Sequence, residues 1–178
     1  PLQAEKRGHA RREGGVKYLK NFGAFDIEAY NIKELRHALM YVWQLQITEA
    51  DTIIGRTWGE FKEFWEHLQE CIPDGFRYVL LVHFLSYEYQ FLRSIIPFDD
   101  VKAMERRQIL TARSGKVEFR CNYLHSNMGL REYLDSLGVE HKKTELDYTI
   151  PRYSWTPLNE AEMEYCVNDV RGLREAYA

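Results

Sequence analysis

Ala24-Phe25-Asp26-Ile27-Glu28 sets two carboxylates into an apolar run, and Tyr165-Cys166-Val167-Asn168-Asp169 sets a phenol and a third carboxylate into a segment of helical spacing. On a strand, residues i and i+2 share a face, so Asp26 and Glu28 project together. On a helix, i and i+4 share a face, so Tyr165 and Asp169 project together. Acidic groups in apolar surroundings are costly unless a cation compensates them. A pair of divalent metal ions is the simplest compensation, and it points to phosphoryl chemistry.

The segments between these two motifs supply the scaffold. Residues 16–28 read as a first strand with an interruption near Asn21, residues 37–47 as a second and residues 52–56 as a short third. Trp58 to Cys71 has apolar residues at 58, 61, 64, 65 and 68, a helical period, and Pro73-Asp74-Gly75 ends that helix. Residues 78–85 (YVLLVHFL) form a continuous apolar run, the signature of a fully buried central strand. A helix is expected over 87–96, three short strands over 99–123 with a turn at Ser114-Gly115, and a helix over 129–137. A charged, tyrosine-rich loop fills 139–155. The last helix is expected to start with Thr156 as N-cap and Pro157 at its first position, and to run to Tyr177. This order implies an α/β protein, a mixed sheet with helices on its faces.

Length and composition set outer bounds. A chain of 178 residues suits one domain, and 45% hydrophobic content is enough for a core. Aromatic residues reach 14%, which fits either a well-filled core or base-stacking surfaces. No apolar run approaches the ~18 residues of a membrane span, so no membrane association is expected. The N-terminus has no apolar signal-like segment. Cys71, Cys121 and Cys166 are scattered, which argues for a reducing, cytoplasmic setting and against a zinc site or a disulfide framework. Net charge is −3, but residues 1–20 carry +4 and the remainder −7. The polar lead-in over 1–15, ending in Gly14-Gly15, reads as a flexible basic tail, with the domain proper over 16–178.

A third candidate segment, His83-Phe84-Leu85-Ser86-Tyr87-Glu88-Tyr89-Gln90-Phe91, follows the buried strand and opens a helix, where α/β folds concentrate active-site residues. In this order the three segments resemble the Exo I, Exo II and Exo III motifs of the DEDDy-type 3′–5′ exonucleases, a ribonuclease-H-like fold. Exo I is the pair Asp26 and Glu28, Exo II falls on Phe84, Tyr87 and Glu88, and Exo III is Tyr165 and Asp169. Within that superfamily the chain is most similar to the proofreading domain of protein-primed, phage-type family B DNA polymerases. Lys143-Thr144-Glu145-Leu146-Asp147-Tyr148 resembles that subfamily's lysine-containing motif, and Phe119-Arg120-Cys121-Asn122-Tyr123-Leu124 its single-strand-binding segment. The likeness covers about residues 20–178.

The resemblance implies a site with two divalent ions, Mg²⁺ or Mn²⁺. Asp26 would bridge them, Glu28 and Asp169 would complete the first position, and Glu88 would hold the second. It further implies that Tyr165 orients the attacking water and that Lys143 meets the scissile phosphate. His83, Tyr87, Phe91, Asn122, Tyr123 and Tyr148 are the implied contacts to single-stranded DNA 3′ ends. A polymerase domain in the parent protein and a bacterial host cytoplasm follow from the same likeness. Two positions depart from the pattern: Phe84 stands where the family has Asn, and Glu88 where many members have Asp. Those departures keep open a nuclease-weak domain that only binds DNA or a partner. An RNA-trimming exonuclease stays open as well, because no residue read here separates ribose from deoxyribose. Each residue also has a plainer use: Asp26 as a strand-end cap, Glu88 as a carboxylate meeting a helix dipole, Tyr165 and His83 as core residues, Lys143 as a solvated charge. Glu60, Glu63, Glu66 and Glu70 read as the solvent face of their helix.

Overall fold

The computed structural model describes residues 15–105, 108–123, 129–138 and 145–178. The lead-in up to residue 14 and Lys143 lie outside the described residues. The strands are β1 (Lys17–Ile32), β2 (His37–Gln46), β3 (Thr52–Gly55), β4 (Phe76–Val82), β5 (Asp100–Glu105), β6 (Gln108–Ser114) and β7 (Val117–Cys121). They form a seven-stranded sheet in the order β3-β2-β1-β4-β7-β6-β5. Pairing is antiparallel for β1–β2, β2–β3, β5–β6 and β6–β7 and parallel for β4–β7, so the sheet is mixed. The helices are α1 (Trp58–Cys71), α2 (Leu85–Leu92), α3 (Leu130–Leu137) and α4 (Glu160–Tyr177). The expected α/β fold is therefore present. β1 has no interruption near Asn21 and runs four residues past Glu28, and α2 begins at Leu85.

The chain divides into two compact units, Pro1–Gly23 with Lys62–Asn127, and Ala24–Phe61 with Met128–Ala178. In the first, β4 is buried from Tyr78 to Val82, as a continuous apolar run demands. The Trp65 indole stacks on Phe119 of β7, with centroids 5.4 Å apart and planes 7° from parallel. Glu63, Glu66 and Glu70 face solvent. Gly115 turns the β6–β7 corner with φ +57, a conformation that favours glycine. The Gln69 amide closes this turn, donating to the Ser114 carbonyl at 3.0 Å and accepting from the Lys116 N–H at 2.8 Å.

In the second unit, alternation along β1 and β2 builds two buried layers. Phe25 and Trp43 pack against Phe61, with ring centroids 5.5 and 5.4 Å away. The Trp43 Nε1–H donates to the Thr57 carbonyl at 3.0 Å, and its ring lies where a Cβ on Gly55 would be, so only glycine fits there. A second buried cluster joins Tyr41 and Val42 of β2 to Tyr165 and Cys166 of α4.

The start of α4 differs from the sequence expectation. Its N-cap is Asn159, not Thr156. Asn159 Oδ1 accepts from the Glu162 N–H at 2.8 Å, and Glu162 Oε1 accepts from the Asn159 N–H at 3.0 Å. This reciprocal box needs a carboxylate three residues after the cap. Thr156 has Asn159 at that spacing, so it cannot form one; its hydroxyl instead accepts from the Tyr153 N–H at 2.9 Å and closes a turn.

Two arginines hold the preceding segment. Arg56 donates to the carbonyls of Tyr41, Tyr153 and Thr156 at 2.8, 2.9 and 2.5 Å. Arg152, 4% exposed, pairs with Glu162 and donates to the Asp147 carbonyl at 2.7 Å. Burial alone would raise the Glu162 carboxyl, but the Asn159 N–H and the Arg152 guanidinium outweigh it and hold the group below the usual range. A carboxyl depressed in the folded state contributes stability above its unfolded value and loses it as pH falls through the folded one. Arg152→Met should therefore cost about 1–3 kcal/mol at neutral pH, the scale of removing a charged hydrogen-bond partner from a part-buried pair. The loss should shrink as pH falls through the depressed carboxyl, measured as urea midpoints at pH 7 and pH 3.

Candidate metal centre

Asp26 and Glu28 come from β1, and Asp169 comes from α4, one turn after Tyr165. One carboxylate oxygen from each lies within 4.8 Å of the other two. Asp169 is 1% exposed and Glu28 6%, while Asp26 is half-buried. The ladder between β1 and β2 is irregular between Glu28 and Ala29. Such a bulge re-aims the chain beyond Glu28, and bulges favour the neighbourhood of sites.

The negative charge is felt by Tyr165, Cys166 and Tyr41. Burial first, then the Glu28 and Asp169 carboxylates, push the Tyr165 hydroxyl far above the ordinary phenol range. Burial and then Glu28, Asp26 and Asp169 do the same to the Cys166 thiol, which is an inert packing group. Tyr41 is raised by burial and Glu28. Tyr165 is thus a neutral hydrogen-bonding hydroxyl, and its oxygen lies 2.5 Å from the hydroxyl of Tyr148. Tyr148 itself is 58% exposed.

The donor set is made of carboxylate oxygens, which suits hard cations such as Mg²⁺ and Mn²⁺ and not the soft-ligand metals. A cluster of like charges with this burial fits a divalent cation. Sequence reasoning missed one member of this neighbourhood, Gln44. It is fully buried on β2, directly across the ladder from Asp26, and its Nε2 donates to Asp26 Oδ2 at 3.1 Å. The signal was available: Gln44 and Gln46 are the polar residues in an otherwise apolar strand run.

The remaining expected residues belong to the first unit. Glu88 is 4% exposed in the first turn of α2. Tyr87 and Phe91 follow one another on α2 with ring centroids 5.4 Å apart. Asn122 is fully buried, with Nδ2 3.3 Å from His83 Nδ1. Tyr123 meets both His83 and Phe84 edge-on, at 5.9 and 5.4 Å. Phe84 is 42% exposed and so is not a core residue.

The mixed sheet and its helices are consistent with the ribonuclease-H-like fold that the motifs implied. Among the solved structures to which the chain is similar are several of phi29 DNA polymerase. A complex with primer-template DNA and incoming nucleotides matches with a TM-score of 0.72 at 13% identity. A complex with single-stranded DNA matches at 0.70 and 13%, and an orthorhombic crystal form at 0.65 and 12%. Each match covers 88% of this chain and 30% of the polymerase chain. The phage-type family B polymerase resemblance carried by the motifs is thus borne out at the level of the fold. No protein-family model and no curated protein sequence matches the chain.

If the cluster holds divalent ions, Mg²⁺ or Mn²⁺ at a hundred times its dissociation constant should stabilise the protein by about 2.7 kcal/mol. For a chain of this size that raises the melting temperature by about 5–10 °C. Asp169→Asn should raise the melting temperature of the metal-free protein and abolish the metal-dependent rise; differential scanning calorimetry with and without EDTA reads both.

Proposed function

We propose that the chain is a metal-dependent 3′–5′ exonuclease that removes nucleotides from single-stranded or mispaired DNA ends, as the proofreading part of a larger family B DNA polymerase. The observation that carries this reading is the group Asp26, Glu28 and Asp169 within 4.8 Å, with neutral Tyr165 one turn from Asp169. It is supported by a fold like that of phi29 DNA polymerase, whose chain it spans by 30%. Bound to the carboxylates, divalent cations would supply an activated water and charge to stabilise the phosphate and the leaving oxygen.

The chain's own residues would do the positioning. Asp26, Glu28 and Asp169 would be the ligands, with Glu88 holding a second ion. The Tyr165 hydroxyl, kept protonated, would orient the attacking water by hydrogen bonding, not as a base. Its contact with Tyr148 restricts the directions left for that hydrogen bond. Lys143 would meet the scissile phosphate as a point charge. His83, Tyr87, Phe91, Tyr123 and Tyr148 would support the strand by stacking and backbone contacts, and Asn122 by fixing His83.

The test is a time course on 5′- and 3′-labelled single-stranded DNA and RNA with Mg²⁺, Mn²⁺ or EDTA. The expected result is metal-dependent loss of nucleotides from DNA 3′ ends. Asp26→Ala should abolish it, while Tyr165→Phe should lose at most about 100-fold, the low end for one positioned group. Equal, near-normal activity in both variants would place the chemistry elsewhere. Lys143→Ala should slow cleavage with the melting temperature unchanged.

A second reading, a nuclease-weak DNA-binding domain, is favoured by the departures at Glu88 and, above all, at Phe84. Its exposed ring stands where the family carries an amide. A hydrogen bond from an amide to the terminal nucleotide is worth about 0.5–1.5 kcal/mol net, or about 2–13-fold. Phe84→Asn should raise DNA affinity or cleavage by that factor at little cost in stability, since the ring is outside the core. A loss of several kcal/mol with no gain would show that Phe84 is structural.

A further inference from the structure

Gln44 is a fully buried amide in the middle of a strand whose neighbours Val42 and Trp43 are apolar. A buried amide is tolerated when its hydrogen bonds are made. One is made: Nε2 to Asp26 Oδ2 at 3.1 Å. The orientation of the amide is fixed by chemistry, because an ionised carboxylate only accepts, so the NH₂ end must face Asp26. That leaves Oε1 as a buried acceptor with no hydrogen-bond partner among the described residues. Gln44 shares its face of β2 with Val42, which packs on Tyr165 and Cys166 of the helix that carries Asp169. The acceptor therefore lies in the neighbourhood of the three carboxylates.

We infer that Gln44 is a positioning residue of the metal centre, holding Asp26 through Nε2 and a cation-bound water through Oε1. The inference rests on the reading that the carboxylates bind a divalent cation. Mg²⁺ dehydrates reluctantly and keeps several of its waters, each with two O–H donors that need acceptors. A buried carbonyl oxygen meets that need without adding a fourth negative charge to the cluster. The donated hydrogen bond has a complementary effect. It occupies one lone pair of Asp26 Oδ2 and restrains the carboxylate rotamer. Partners of metal ligands that act this way commonly change metal affinity by about 10–100-fold. A glutamine whose only use was filling space would not move that affinity.

The experiment titrates Mn²⁺ into the metal-free protein and reads free Mn²⁺ by electron paramagnetic resonance, with melting temperatures recorded in parallel. Gln44→Met keeps the unbranched shape and removes both polar ends. Its Mn²⁺ affinity should fall about 10–100-fold, while its metal-free melting temperature stays at or above that of the unsubstituted chain. Gln44→Glu keeps the shape and places a carboxylate opposite Asp26. Its metal-free melting temperature should fall, and the rise on adding Mn²⁺ should exceed that of the unsubstituted chain. Unchanged Mn²⁺ affinity in Gln44→Met, or an equal Mn²⁺-dependent rise in Gln44→Glu, overturns the role of Gln44 and leaves the metal centre standing. An unsubstituted chain that takes up no Mn²⁺ overturns the metal centre and this inference with it.

Discussion

Mutual repulsion among Asp26, Glu28 and Asp169 is the constraint around which the second unit is built. Like charges at this spacing repel by roughly 3–4 kcal/mol per pair at an effective dielectric near 20. A protein gaining only stability would place apolar residues at Glu28 and Asp169, which are 6% and 1% exposed. A cluster kept at the expense of stability is a candidate for function. Burial first, and this field after it, push Tyr165, Cys166 and Tyr41 toward their neutral forms.

Holding repelling groups together needs a stiff frame, and the frame is made of elements with little freedom. β1 and β2 share a long register on the Asp26 side of the bulge, so the two carboxylates of β1 cannot drift apart. α4 is fixed at its start by a two-way cap and at Arg152 by an ion pair with Glu162, a residue of its first turn. Arg56 and Arg152 bind backbone carbonyls of the segment before α4, so that segment is organised by guanidinium donors in place of regular secondary structure. Tyr148 sits in this segment and reaches Tyr165. The environment of the tyrosine hydroxyl thus depends on arginines that never touch the carboxylates themselves.

How much of this could be read from the chain depends on the range of the interaction. Periodicity is local, so α1 was legible to the residue, and the apolar run at 78–85 correctly announced buried β4. The spacing of Asp26 with Glu28 and of Tyr165 with Asp169 is local too, and each pair shares a face for the reason given by strand and helix geometry. That Asp169 would meet Asp26 is not local; it became legible only through the ordered likeness to known exonuclease motifs. Gln44 was only half legible because its meaning comes from register: a glutamine in an apolar strand signals a buried hydrogen bond without naming the partner. The cap of α4 was misread for a different reason. Thr156-Pro157 and Asn159-x-x-Glu162 are both valid start signals, and the reciprocal carboxylate bond of the second won.

At 13% identity to phi29 DNA polymerase, the shared fold cannot rest on conserved side-chain contacts. What it requires is coarser: alternation along β1 and β2, a buried β4, and helices with one apolar stripe. The packing details are free to be this chain's own, as with Trp43 lying over Gly55, or Trp65 stacked on Phe119. The site obeys a stricter rule, because a carboxylate moved by one residue along β1 would leave the face shared by Asp26 and Glu28. This difference in tolerance is why three short motifs carried the resemblance when the sequence as a whole did not. It also locates the places where the chain is free to differ without losing the fold. Phe84 is such a place, an exposed ring at the N-cap of α2.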